Sequence, residues 1–314
     1  MQHLHDIHSL HLPGCGLTIG AFDGVHVGHQ ALIRAMVSDA HDRDLPAVVL
    51  TFYPHPSVVL RSRSPSFYIT LPDEKADLIG ALGVDYVVTQ RFDRALSRVS
   101  ARDFLDLLHR QLSFKRLWIG EDFTLGRDRT GNRAYLESVS SEYAFEVKIF
   151  PPFTLNGETV RSSIVRQALL SGEVARVAHY LGRIFVLPGD VVQGVGRGRE
   201  LGIPTANLQI QEERAYPGSG VYACTVEYDG KRQPAVTNIG VRPTFESEPV
   251  PPTVETHILD FNGDLYGQHL RVGFVERLRA ERRFASPDDL IQQIKDDIRR
   301  ARSILEPTLE GENA

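Results

Sequence analysis

The sequence predicts two domains: an α/β domain built on a parallel sheet, then an antiparallel β-barrel with a C-terminal helix. Three observations carry this. The chain has 314 residues, more than one hydrophobic core usually serves, so two cores are expected. Its first part alternates short apolar runs with helical periodicity, the signature of a parallel sheet covered on both faces. Its second part is a series of short β-rich runs separated by glycine, proline and hairpin signals, which predicts an antiparallel barrel.

In chain order, LTIGAF reads as a strand, HQALIRAMVSDAHD as a helix, PAVVLTF as a strand, DEKADLIGALG as a helix, DYVVTQ as a strand, SARDFLDLLHRQL as a helix and RLWIG as a strand. AVVLTF and YVVT are apolar on both strand faces, as buried parallel strands must be. After the proline-marked loop PPFTLNGET, SSIVRQALLSGEVARVAHYLG reads as a helix or helix pair ending at Gly182. The boundary falls near residues 183 to 187, giving domains 1–184 and 185–314. The barrel runs are FVLPGDVVQGVGRG, IPTANLQI, GVYACTVEYDGKRQPAVTNIGV, TVETHILDF and HLRVGFVERL, with hairpin signals at YDGK and FNGD. SPDDLIQQIKDDIRRARSIL opens with serine and proline and spaces its apolar residues at three and four, so it is a helix packed on the barrel.

Composition narrows the function classes. The net charge of −5 gives no reason to expect nucleic acid as a partner, so an anionic substrate must be met by local groups. No apolar run is long enough to span a bilayer, and the N-terminus lacks the pattern of a secretory signal, which together predict a cytoplasmic protein. Cys15 and Cys224 lie far apart and outside any CxxC spacing, arguing against a disulfide framework or zinc site. Oligomeric state leaves no mark in the sequence.

The first chemical constellation is GAFDGVHVGH, Gly20 to His29. Leu17 to Phe22 reads as a strand, Asp23 and Gly24 as a turn, and the helix begins near Gly28 or His29. His26 and His29 then stand at a helix N-terminus, where free N–H groups and the macrodipole favour an anion. Gly28 would let a phosphate approach the backbone, and both imidazoles could donate to charge building on phosphorus. A tight turn with a capping aspartate and two solvated histidines is the alternative. Downstream, VRSSIVRQAL places Ser162 and Ser163 at a helix start with Arg166 one turn on, groups suited to the β and γ phosphates of a nucleotide. The pair resembles the nucleotidyltransferase superfamily, whose members carry HxGH after the first strand and ISSTxxR near the domain's end.

The second constellation is GDVVQGVGRGRELGIPTANL. It lacks the GK[ST] of a Walker motif. Gly194, Gly196 and Gly198 fall at period two, so an extended segment would bare one face to a phosphate chain. Thr205 and Asn207 are also two apart, so both oxygens leave one side and could share Mg²⁺ with phosphate oxygens. A flexible glycine turn beside a polar strand face is the alternative. In TVETHILDF, Glu255 shares its face with His257, Leu259 and Phe261, a partly apolar setting that could hold a carboxylate as a proton acceptor.

Across nearly its whole length the chain resembles the bacterial bifunctional riboflavin kinase and FMN adenylyltransferase family, also called FAD synthetase. The matching segments, in order, are IGAFDGVHVGHQ, TFYPHP, EKADLIGALGVDYV, IGEDFTLGRDRTGN, SSIVRQAL, GIPTANL, GVYA, NIGVRPTF, VETHILDFNGDLYGQHLRV and LRAERRF with the closing helix. The resemblance implies a Rossmann-like nucleotidyltransferase domain that transfers AMP from ATP onto FMN, giving FAD. It puts His26 and His29 at the α-phosphate, Asp23 and Gly28 at the nucleotide, and Ser162, Ser163 and Arg166 at the leaving pyrophosphate. It further implies a riboflavin kinase barrel, with Gly194, Gly196, Gly198, Thr205 and Asn207 at ATP, Thr205 and Asn207 at Mg²⁺, and Glu255 as the base for the ribityl hydroxyl. The resemblance also implies Asp122 at the flavin or nucleotide and Arg279 as a flavin or phosphate contact. One departure stands out: where the family reads ISSTxxR this chain reads VRSSIVR, with Arg161 for the first serine and Ser163 for the threonine. From it follows a second reading, a kinase with a weakened adenylyltransferase site; a third, of another class, is a flavin-binding or regulatory protein without turnover, which the intact residues of both sites oppose. His3, His5, His8 and His11 read as a solvated leader, Trp118 and Tyr86 as core, and the IRRAR run as a solvated face or barrel contact.

Overall fold

The computed structural model describes residues 1–61, 67–194, 202–240 and 252–310. In the first part, strands β1 (Gln2–Leu4), β2 (Gly16–Ile19), β3 (Ala47–Tyr53), β4 (Tyr86–Arg91), β5 (Arg116–Gly120) and β6 (Glu146–Phe150) form one sheet in the order β1-β4-β3-β2-β5-β6. Every pairing in it is parallel. The helices are α1 (Val27–His41), α2 (Pro56–Arg61), α3 (Pro72–Gly80), α4 (Ala101–Leu112) and α5 (Arg133–Val139), and a small hairpin, β7 (Thr154–Leu155) with β8 (Glu158–Thr159), follows.

Strand β3 shows why AVVLTF is apolar throughout. Val48 and Leu50 enter a core with Phe104, Leu105 and Leu108 of α4, while Ala47 and Val49 enter another with Ile33 and Met36 of α1. Trp118 and Tyr86 pack against these clusters as core residues. The strand order reverses beside β2, with β3 on one side and β5 on the other, and such a switch point is where open α/β sheets bind ligands.

Four strands were not anticipated: β7 and β8, which pair inside the run PPFTLNGET read as a loop, and two more. β6 lies in the half-buried run EVKIF, and β1 lies in the leader. The leader is ordered because β1 pairs with β4, His3 Nε2 is 2.9 Å from Thr89 Oγ1, and Ile7, fully buried, donates its N–H to Gln90 Oε1 at 2.9 Å. Three strand residues carry too little periodicity for a reader of sequence to find.

Helices α6 (Ser162–Leu170) and α7 (Val174–Leu181) precede a closed barrel. Its strands are β9 (Phe185–Val192), β10 (Ala206–Gln209), β11 (Gly220–Tyr228), β12 (Lys231–Gly240), β13 (Thr253–Ile258) and β14 (His269–Arg279), all neighbours antiparallel in the order β10-β13-β12-β11-β14-β9. The YDGK signal is a two-residue loop closing Tyr228 against Lys231, with positive φ at both Asp229 and Gly230, the geometry that lets a hairpin keep its twist. Gly182 terminates α7 in the left-handed conformation, as its position predicts.

Contacts divide the chain into compact units Met1–Ser162 and Ser163–Ala314. The division precedes residue 184 because α6 and α7 pack with the barrel: the Gly218 N–H donates to Leu169 O at 2.8 Å and Arg277 donates to Ser171 O at 3.2 Å.

The closing helix α8 (Pro287–Glu310) is capped by Ser286, whose Oγ accepts from the Asp289 N–H. Its Ala301 and Leu305 are buried against Val221, Ala223, Val236 and Leu278, and in the IRRAR run Arg300 and Arg302 reach Glu276 and Asp260. Arg279 binds Asp297 of α8 through Nε, 3.1 and 2.9 Å from the two carboxylate oxygens, and both side chains are largely buried. Removing one partner of a buried pair strands the other, so Arg279→Ala should destabilise the protein by about 3–5 kcal/mol in a urea titration. A change below about 1 kcal/mol would be the value for a surface pair and would refute that role.

Candidate functional sites

The first site grows from the carboxyl end of β2. His26 is the N-cap of α1: its Nδ1 accepts the His29 N–H at 3.2 Å. The cap is therefore a histidine, where the plain-turn alternative required an aspartate. A ring whose Nδ1 accepts carries its proton on Nε2 when neutral, leaving Nε2–H as a donor. The two imidazoles stack with centroids 3.5 Å apart. A Cβ on Gly28 would lie 3.2 Å from both the His26 ring and Phe153, so glycine is what lets that ring lie against the helix.

His29 is held neutral. Desolvation pushes its pKa well below the ordinary histidine value, with His26 and Lys75 adding to the shift. The residue is half-buried, but its Nδ1 is enclosed and has no hydrogen-bond partner. An unsatisfied buried nitrogen costs about 1–3 kcal/mol, so the loop is built at a cost to stability.

The loop is also strained: Phe22 and Val25 have φ of 46° and 41°, a region costly for bulky and β-branched residues. Cross-bonds hold it. Ala21 O accepts from Thr51 Oγ1 at 3.0 Å and Lys75 Nζ at 3.1 Å, Gly24 N–H donates to Thr70 Oγ1 at 2.9 Å, and Gln30 Nε2 donates to Val25 O at 2.9 Å. Asp23 is fully buried, and its carboxylate accepts from the N–H groups of Ile69 and Thr70, each at 3.1 Å. That side chain braces the loop, while its carbonyl accepts from Ser162 Oγ at 2.9 Å. Arg161 is exposed, so the departure at that position leaves the Ser162 bond intact. Ser163 is exposed and Arg166 half-buried on α6, in the second unit.

Beside this loop a cavity of about 740 Å³ opens, lined by Gly20, Ala21, Phe52, His55, Phe92 and Asp122 among others. Its size suits an organic ligand of moderate bulk. Asp122 is exposed just past β5, at the carboxyl end of the strand across the switch point. Thr51, Thr70, Lys75 and the aromatic walls Phe52 and Phe92 were missed. Only Lys75 left a trace: it stands four residues before buried Ile79, which puts a charged residue on the buried face of α3.

The second site lies on the barrel, where a cavity of about 490 Å³ is lined by Gly194, Thr205, Asn207, Thr256, Asp264 and Tyr266 among others. Thr205 immediately precedes β10 and Asn207 lies within it, both half-buried. A Cβ on Gly194 would fall 2.1 Å from the Asn207 amide, so a bare residue is required opposite that side chain. Gly196 and Gly198 lie outside the described residues. Half-buried Glu255 sits directly across from Asn207 in one ladder and Asn238 in the other, so these side chains leave one face. Among the described residues Glu255 is not part of the cavity wall. His257, two residues on, has Nδ1 2.7 Å from Pro204 O and so ties β13 to the segment carrying Thr205. Arg279 is also absent from that wall and is committed to Asp297.

Near the amino terminus, ligand atoms of His3, His5 and Asp73 lie within 4.8 Å of one another, a proximity set by β1 pairing and invisible in sequence. Among the described residues no helix is long and apolar enough to cross a membrane.

Comparison with known proteins identifies the family of each domain. The FAD synthetase family matches residues 9–164 and the riboflavin kinase family residues 181–305. The bifunctional riboflavin kinase/FMN adenylyltransferase of Escherichia coli (strain K12) is 38% identical over 94% of each chain. The Pseudomonas fluorescens protein of that name is 37% identical over 97% of each. That of Bacillus subtilis (strain 168) is 33% identical over 95% of this chain and 96% of its own. A solved structure of a macrolide-efflux protein from Streptococcus pneumoniae has the same fold, with a TM-score of 0.87 and 30% identity over 96% of this chain and 98% of that one.

Proposed function

The chain belongs to the bifunctional riboflavin kinase/FMN adenylyltransferase family, and on that premise we propose how its residues divide the two reactions. The barrel carries riboflavin kinase activity and the parallel-sheet domain FMN adenylyltransferase activity, with ATP the co-substrate of each. We assign residues 1–184 to adenylyl transfer and 185–314 to the kinase.

In the kinase step, Glu255 takes the proton of the ribityl 5′-hydroxyl as that oxygen bonds the γ-phosphorus of ATP and ADP leaves. Its cross-strand neighbours Asn207 and Asn238 stand beside it on the same face. Thr205 and Asn207 hold the nucleotide. Their half-buried oxygens, hard donors on a cavity wall, fit Mg²⁺, whose chemistry when bound is to neutralise phosphate charge.

In the adenylyl step, a phosphate oxygen of FMN bonds the α-phosphorus of ATP, the bond to the bridging oxygen breaks, and pyrophosphate leaves. The nucleophile is already anionic, so positioning and charge stabilisation suffice without a general base. His26, donating from Nε2, and neutral His29 meet the charge on the α-phosphate, at the N-terminus of α1. Gly28 gives the His26 ring its place against the helix, and the resemblance assigns Ser162, Ser163 and Arg166 to the leaving pyrophosphate. The flavin ring occupies the aromatic-walled cavity with Asp122 at its edge, and Asp23 acts by holding the loop. We assign Arg279 to anchoring α8 and not to substrate. The observation that carries the adenylyl assignment is the stacked, desolvated His26–His29 pair held at a helix N-terminus by a cross-braced, strained loop.

Incubating the purified protein with riboflavin, ATP and Mg²⁺ and separating the flavins by chromatography tests the whole reading. The expected product is FAD, by way of FMN. FMN alone would mean a kinase with an inactive adenylyl site, and bound but unconverted riboflavin would mean a binding protein.

A further inference from the structure

We propose that Lys75 is a positioning residue for adenylyl transfer, its buried ammonium fixing the ends of β2 and β3 and through them the loop that presents His26 and His29. The proposal rests on the adenylyl reading given above. Lys75 is 4% exposed, and its Nζ donates to Ala21 O at 3.1 Å and Phe52 O at 3.3 Å. Ala21 opens the strained loop and Phe52 stands near the end of β3; both line the cavity. One cation thus ties the phosphate-binding loop to the cavity wall.

Packing alone does not call for a cation there. Burying an ammonium costs several kcal/mol before compensation, whereas a methionine of similar length would fill the space between α3 and the sheet more cheaply. Desolvation pulls the Lys75 pKa down to about 8, and buried Asp23 acts against that pull. A charge kept at such a cost must serve something other than fold stability. Three consequences serve catalysis. Ala21 O takes a second donor besides Thr51, which stiffens the loop at its entry. The positive charge helps hold His29 neutral. It also adds to the potential that draws a triphosphate and an FMN phosphate to this end of the sheet.

Lys75→Met removes both the charge and the two bonds, and the kinase activity of the same preparation reports whether the chain is intact. The expected result is a fall of about tenfold to a hundredfold in kcat for FMN to FAD, the scale of a small misplacement of reacting groups. Riboflavin phosphorylation should be unchanged, and Lys75→Arg, which keeps the charge and donors, should recover at least part of the loss. Wild-type adenylyl transfer in Lys75→Met, or a loss shared equally by the kinase, overturns the proposal. Should Lys75→Met not fold, Lys75→Gln, which still donates to one carbonyl, takes its place with the same readouts. Absence of FAD from the wild-type control would overturn the adenylyl reading itself.

Discussion

The double variant His26→Ala with His29→Ala should stop conversion of FMN to FAD while riboflavin phosphorylation continues at its normal rate. Removing one preorganised donor to transition-state charge typically costs about 10²–10³ in kcat, and here both are lost at once. His26 is also the cap of α1, and an alanine there costs about 1 kcal/mol of helix stability. His26→Asn separates these roles, since asparagine caps well but brings no imidazole. It should leave the melting temperature near the wild type and still slow adenylyl transfer by at least tenfold. Supplying FMN directly, so that the kinase is bypassed, makes the measurement specific. Near-normal FAD formation by the double variant would remove both histidines from the reaction.

Glu255→Gln should do the reverse, slowing riboflavin to FMN by about 10²–10⁴, the range of general base catalysis. The amide is isosteric and keeps a side chain beside Asn207 and Asn238, so the barrel should hold its shape. FMN supplied from outside should still become FAD. If both steps failed with added FMN, the division of labour between the domains would be wrong. If neither slowed, Glu255 would be an ordinary half-buried strand glutamate, the commoner fate of that residue type.

Much of the architecture could be read from pattern because it rests on local rules. Short apolar runs marked β2 to β5, period-3.6 spacing marked α1, α3 and α4, and the glycine hairpin signal marked the β11–β12 turn. The histidine pair was legible for the same reason: a helix N-terminus is a property of adjacent residues. The order of the leader was missed because it comes from Thr89 and Gln90, more than eighty residues away, although His5, His8 and His11 are exposed as expected.

The same distinction sorts the candidate sites. Local sequence sufficed for the two domains, the HxGH helix start, the Thr205–Asn207 spacing and the family to which the chain belongs. What needed the folded chain was the use each side chain makes of its surroundings. Asp23, expected at the nucleotide, has its carboxylate engaged by the N–H groups of Ile69 and Thr70, which fold back onto it. Arg279, expected at the flavin, pairs with Asp297 because α8 returns across the barrel. Lys75 was passed over in the sequence and is buried beneath the loop at the end of β2, where its Nζ donates to Ala21 O. Charged and polar groups take their roles from whichever partner offsets their desolvation. That partner is chosen by long-range packing, which the periodicity of a single chain does not encode.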